Sequence, residues 1–155
     1  MIIHDENNIP QLIEVLEELG ELEIEIGVLG DGKGGEKYEN GGGEESKVTV
    51  AQIANYHEFG KGHNPERSFI RASFDKNLDE YTRVGEKLIG QALELQVEAD
   101  GVAEALGEHI VGKTQEFLTD LKSPPLKPAT IARKKSSNPL IDTGQLRDSI
   151  EWKKV

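Results

Sequence analysis

Apolar residues recur at helical spacing through Ile70, Phe74, Leu78, Tyr81, Leu88, Ala92 and Leu95. After Asp100-Gly101 they resume through Val102, Leu106, Ile110, Phe117 and Leu121. The first stripe predicts a helix over about residues 68–98, roughly 45 Å long at the standard rise per residue. The second predicts a helix ending near Lys122, with Asp100-Gly101 as the interruption. Apolar stripes of this length must be covered, and a helical hairpin in which each covers the other is the simplest arrangement. Core packing accounts for both stripes without a cofactor.

The N-terminal part changes period. Ile9, Leu12, Ile13, Leu16 and Leu19 lie at steps of three and four, with Asn7 or Asn8 as cap, Pro10 in the first turn and Gly20 as the stop. From Leu22 to Val28 the period is two: Leu22, Ile24, Ile26 and Val28 alternate with Glu21, Glu23, Glu25 and Gly27, which predicts a half-buried strand with an acidic outer face. Trp152 and Val155 mark a final strand. A chain of 155 residues has ordinary single-domain length and would bury roughly 70% of its extended surface. The expected architecture is therefore one α+β domain over residues 1–155, with a small antiparallel sheet covered by helices and a long helical hairpin. Residues 30–47 contain seven glycines among mostly charged neighbours. Apolar surface is too scarce there to offset the entropy of ordering, so a mobile loop is expected.

Enzyme motifs can be weighed on their spacing. Gly27 to Lys33 fits the start of a phosphate-binding P-loop, and Gly30, Gly32 and Gly35 fit a dinucleotide fingerprint, both after a strand. Yet Gly34 stands where the P-loop needs Ser or Thr, and no helical periodicity follows at once. His57-Glu58 with His63 suggests a zinc hydrolase, but that chemistry needs its second histidine four residues on, and His63 is six away past two glycines. His4 and His109 lack ligand-type neighbours. A small hydrolase or nucleotide-binding enzyme using His57, Glu58, His63 or the Gly27–Lys33 loop is the weaker reading, and no metal or cofactor is expected.

The most specific stretch is a corner. Val50, Ala51, Ile53, Ala54 and His57 lie on one helical face, and Gly60 sits where a helix ends in the left-handed conformation. Asn64 is pushed out of the helical region by Pro65, which can open the next helix. Glu58 is placed to pair with Arg67 or Arg71 across the bend, through two parallel hydrogen bonds or as a solvated pair of little worth. The corner thus comprises Glu58, Phe59, Gly60, Pro65, Arg67, Phe69 and Arg71.

Charge is unevenly distributed. The net charge is −11, yet residues 1–60 hold 14 acids and 3 bases while residues 123–155 hold 3 acids and 7 bases. Such a chain is poorly suited to wrapping nucleic acid, although Lys127, Arg133, Lys134 and Lys135 form a small basic segment that a nucleic-acid-binding regulatory module would use. An acidic face beside a basic tail suits head-to-tail contact between copies. Pro124-Pro125 ends the second long helix; Thr130 caps a short basic one, and Asp142 or Thr143 caps another carrying Leu146 and Ile150. With no cysteine there is neither a disulfide nor a thiolate metal site. No run of about 18 apolar residues and no leader-like N-terminus is present, so the chain is expected to be soluble, not exported and not in a membrane.

Tyr56-His57-Glu58-Phe59-Gly60 and Pro65-Glu66-Arg67-Ser68-Phe69-Ile70-Arg71 are followed by Pro124-Pro125-Leu126, Thr130-Ile131-Ala132-Arg133-Lys134 and Leu140-Ile141-Asp142-Thr143-Gly144-Gln145-Leu146-Arg147-Asp148-Ser149-Ile150. This combination resembles the neck and tail-completion proteins of tailed bacteriophages and prophages, from about Val48 to Val155. The resemblance implies a non-enzymatic virion-assembly protein at or near the head-tail junction. It implies copies in a homo-oligomeric ring that contact connector, tail-terminator or tail-tube proteins. Double-stranded DNA would pass through the lumen unread, and the protein would end in the virion after assembly in the host cytoplasm. Lys127, Arg133, Lys134, Lys135, Thr143, Gly144 and Leu146 become candidates for assembly interfaces. The sequence departs from the pattern at Ser68, where a second proline is expected before Phe69, and its first 47 residues match loosely.

Overall fold

A computed structural model describes residues 7–41, 43–62, 64–134 and 137–155. In chain order the elements are α1 (Ile9–Gly20), β1 (Ile24–Gly27), a 3-10 turn (Lys33–Gly35), β2 (Lys37–Glu39), β3 (Glu45–Thr49), α2 (Val50–Phe59) and α3 (Ile70–Leu93). They continue with α4 (Ala99–Asp120), α5 (Pro128–Lys134), α6 (Gln145–Asp148) and β4 (Glu151–Lys154). The fold is α+β, built around the α3–α4 hairpin and two antiparallel strand pairs.

α3 and α4 are the most extensively packed pair of elements. α4 buries Val102, Ala103, Gly107, Ile110, Thr114 and Leu118, one face at helical spacing. The hairpin turns earlier than expected. Leu95, at φ 58°, stops α3 in the left-handed conformation, and the Leu95 and Gln96 N–H groups bond back to the Ala92 and Gln91 carbonyls, each at 2.9 Å. Asp100 and Gly101 instead lie in the first turn of α4, where an acidic side chain suits the positive end of the helix.

β1 and β4 pair in antiparallel register from Ile24↔Lys154 to Gly27↔Glu151, so the expected sheet between the first strand and the C-terminal strand is present. This pair lies on α4, where the Trp152 ring covers Gly107. A Cβ there would come within 2.6–2.8 Å of Trp152 Cγ and Cε3. Gly107→Ala, which in an open helix would gain about 1 kcal/mol, is therefore expected to cost about 1–3 kcal/mol through overpacking. Chemical denaturation of the two proteins measures the sign.

The glycine-rich stretch departs from the expected loop. Residues 33–49 carry the 3-10 turn and the β2–β3 hairpin. The physical reason lies far along the chain. The Gln145 side chain donates to the Lys37 carbonyl (3.1 Å) and accepts the Glu39 N–H (2.9 Å), as a neighbouring strand would. Asp142 accepts the Tyr38 hydroxyl (3.4 Å) and the Gly41 N–H (3.1 Å). Glu151 accepts the Lys33 N–H (3.1 Å). Side-chain acceptors and donors from the C-terminal segment satisfy a backbone that has few apolar side chains to bury.

One buried cluster joins Val50 and Ala54 of α2, Phe69 at the start of α3, Leu118 of α4, and Leu140, Leu146 and Ile150 of the C-terminal segment. The corner sits on this core.

Candidate functional site

α2 is defined at both ends by its own sequence. Thr49 and Gln52 form a reciprocal capping box, with Gln52 N–H to Thr49 Oγ1 at 3.3 Å and Thr49 N–H to Gln52 Oε1 at 2.9 Å. Gly60 ends the helix at φ 65°. Glu58, in the last turn, is only 4% exposed. Its carboxylate points at the start of α3 and accepts the Ser68 hydroxyl (2.7 Å) and the N–H groups of Phe69 (2.8 Å), Ile70 (3.0 Å) and Arg71 (3.1 Å). It also accepts Arg71 Nε at 2.9 Å.

Glu58 is thus the N-terminal anion of α3, supplied by the preceding helix. That explains why α3 begins at Ile70 and not at Pro65: the carboxylate takes the orphan donors of residues 69–71, and Pro65 to Ser68 run without regular structure. Ser68, the position where the resemblance lacks a proline, contributes its hydroxyl to the same carboxylate. Burial alone would raise the Glu58 carboxyl pKa, but the donors from Ile70, Ser68 and Arg71 outweigh it and hold it below the usual carboxylate range.

Arg71 is the partner of Glu58, and Arg67 is not. Arg71 divides its guanidinium among the Glu58 carboxylate, the Glu58 carbonyl (2.7 Å) and Glu66 (3.0 Å), so the two parallel bonds to one carboxylate are replaced by a fan. The Phe59 ring, itself exposed, lies 4.6 Å from that guanidinium. Arg67 is buried and donates to the carbonyls of Pro124 (2.8 Å) and Pro125 (3.3 Å), tying the chain after α4 to the corner. Phe69 is fully buried in the core.

The enzyme motifs do not assemble. Among the described residues, every bond made by the Glu58 carboxylate goes to the corner. Burial, with the positive charges of Arg67 and Lys134, pushes the His57 imidazole down to about 4. His63 lies outside the described residues. In the Gly27–Lys33 loop the Glu151 carboxylate lies against Gly32 and accepts the Lys33 N–H, so the position an anionic phosphate would need already holds an anion. Among the described residues no group of three or more His, Cys, Asp or Glu side chains is placed to hold a metal, and no helix is long and apolar enough to cross a membrane.

The interface candidates are dispersed. Lys127 and Thr143 are exposed, and the Thr143 hydroxyl accepts the Gln145 N–H at 3.3 Å. Lys134 is half-buried and donates to the carbonyls of Asn138 and Pro139, each at 3.4 Å. Gly144 (φ 89°) and Leu146 are buried in this chain, so they shape the C-terminal segment and offer no outer surface. Lys135 lies outside the described residues, as does the Arg133 side chain. Asp142, Gln145 and Glu151 were not legible as clamp residues, because nothing local in sequence marks the distant backbone they bind.

Apolar surface remains uncovered elsewhere. α1 has no buried residue, and Ile9, Ile13 and Leu16, at steps of four and three, are 63%, 51% and 50% exposed. Phe74, Leu78, Ile89 and Leu93 of α3 are also exposed. A groove of about 310 Å³ runs between β1 and α3, lined by Ile24, Ile26, Ile70, Phe74, Ile110 and Thr114, with Arg71 and Asp75 beside them.

Neither a family model, nor a curated protein sequence, nor a solved structure matches the chain.

Proposed function

We propose that this chain is a non-enzymatic structural protein of a tailed-phage or prophage virion, acting in head-tail joining or tail completion as one copy in an oligomeric ring. The observation that carries the reading is the stripe of Ile9, Ile13 and Leu16, left half or more in water on a helix whose other side packs on the hairpin. A helix face of this kind is built for contact with protein. The sequence resemblance supplies the setting. The charge asymmetry supports it, because an acidic first segment and a basic last segment attract one another between neighbours. An acidic protein also suits a channel through which DNA passes without adhering. The buried Glu58, spent on the bend, belongs to a rigid joint and not to a reaction centre.

Mass measured by light scattering across protein and salt concentration, alone and with connector or tail-terminator proteins, tests the proposal. Ring-sized species alone or in those mixtures are expected. A protein that stays monomeric in every mixture yet binds a short DNA duplex tightly at physiological salt is instead a nucleic-acid-binding module.

A further inference from the structure

We propose that the groove between β1 and α3 receives an extended segment of another protein, one that alternates apolar and basic side chains and pairs with β1 as an added strand. The sheet of β1 and β4 has only two strands, so β1 has one edge without a strand partner among the described residues. The Val155 N–H bonds to the Glu23 carbonyl at 3.0 Å, which sets the parity of the ladder. Glu23, Glu25 and Gly27 turn their main-chain groups toward β4, so Ile24 and Ile26 turn theirs away. Among the described residues no other segment bonds to the main chain of Ile24 or Ile26. The groove lies on that open side, since residues of β1 line it and none of β4 does.

The chemistry of the occupant follows from the two faces of β1. Inward, Ile24 and Ile26 share the groove with Ile70, Phe74 and Ile110, so alternate side chains of an added strand would meet apolar surface. Outward stand Glu25 of β1 and Glu23 just before the strand. On the β4 side Glu25 is already answered by Lys153 at 3.1 Å. The intervening side chains of a strand on the open side stand opposite the same carboxylates, and Lys or Arg there is favourable where an acid is not.

The strands of a second copy do not fit. A second β1 would set carboxylates against carboxylates. β4 is backed by α4 through Trp152 on Gly107, and that helix would compete with α3 for the same space. β2 and β3 pair with each other, and Gln145 occupies the main chain of β2. This contact is separate from the copy-to-copy ring and does not depend on it.

The test is a titration of the isotope-labelled full chain, at low ionic strength, with an end-blocked peptide of sequence Lys-Ile-Lys-Val-Lys-Ile-Lys. Two controls accompany it: the same peptide with Glu replacing each Lys, and one with a central Pro that removes a main-chain donor. Amide shifts at Ile24, Ile26 and Phe74 are expected, with affinity at least about tenfold above both controls. Glu25→Lys and Phe74→Glu, both at exposed positions, are each expected to weaken binding about tenfold in chains whose dispersed amide spectra show that they remain folded. Shifts that avoid β1, or equal binding of the acidic peptide, overturn the proposal. So does protection of β1 and Phe74 in an oligomer of the free protein that the peptide fails to displace, which assigns the groove to a second copy. Failure of the peptide leaves the ring proposal standing, because ring mass is read without peptide.

Discussion

Glu58→Ala is expected to destabilise the protein by about 3–5 kcal/mol, the range for stripping a buried ionic network of one partner. Urea denaturation is the measurement. Alanine leaves the Ser68 hydroxyl, the N–H groups of Phe69, Ile70 and Arg71, and the Arg71 guanidinium without their acceptor. A single partly buried charge pair left without its partner would cost only about 1–3 kcal/mol. The larger figure reflects the main-chain donors that share the same carboxylate. Glu58→Gln is expected to fall between wild type and alanine, because it keeps one acceptor oxygen and points an NH2 group at donors. The pH dependence has a defined sign. With its folded pKa held below the unfolded value, Glu58 contributes stability that is fully present above the unfolded pKa of about 4.3. That contribution is lost as pH falls through the folded value. The stabilities of the wild type and of the Glu58→Gln variant should therefore converge in acid; parallel curves down to the acid transition would remove the carboxylate from the account.

Gly60→Ala is expected to cost about 2–4 kcal/mol, combining the penalty for an L side chain in the left-handed region with overpacking. Gly60 has φ 65°, and a Cβ there would lie 2.7 Å from the Glu66 nitrogen and 3.0 Å from Glu66 Cα. Those are main-chain neighbours that cannot swing aside. They are also held, because the Arg67 N–H bonds to the His57 carbonyl at 2.7 Å across the same bend. Gly43 provides the comparison: its φ is 76° but nothing lies within 4 Å of its missing Cβ. Gly43→Ala is expected to cost only the conformational share, about 1–2 kcal/mol. Equal losses at the two positions, read from denaturation midpoints, would show that the crowding at Glu66 contributes nothing.

How much was legible depended on how local the cause was. α1, β1 and the Gly60 stop follow from spacing and turn chemistry within a dozen residues; the structure has α1 and the Gly60 stop where the sequence put them, and β1, at Ile24–Gly27, inside the longer Leu22–Val28 strand expected. The two long helices followed from their stripes, but their junction moved to Leu95, a residue type that does not signal a left-handed stop. α3 starts at Ile70, close to the residue 68 at which its stripe was expected to begin, and not at Pro65, because the deciding group, Glu58, belongs to the preceding helix. The β2–β3 hairpin was missed for a similar reason at longer range, since Asp142, Gln145 and Glu151 complete it. In the corner, Glu58 and Arg71 were legible as partners from charge and position. Arg67 was not assigned correctly, because its acceptors are carbonyls of Pro124 and Pro125, and any residue type has a carbonyl.

The pairing of β1 with β4 also bears on how the protein comes into being on the ribosome. β1 is synthesised early, and its partner follows roughly 120 residues later, about 6–24 s at 5–20 residues per second. Throughout that interval Ile24 and Ile26 lack their β4 partner, while the acids at 21, 23 and 25 already alternate with Leu22, Ile24 and Ile26. Those carboxylates act as gatekeepers: nascent chains on neighbouring ribosomes would have to bring like charges together to pair through this segment. The same glutamates that select a basic partner for the finished protein would then keep its unfinished copies apart.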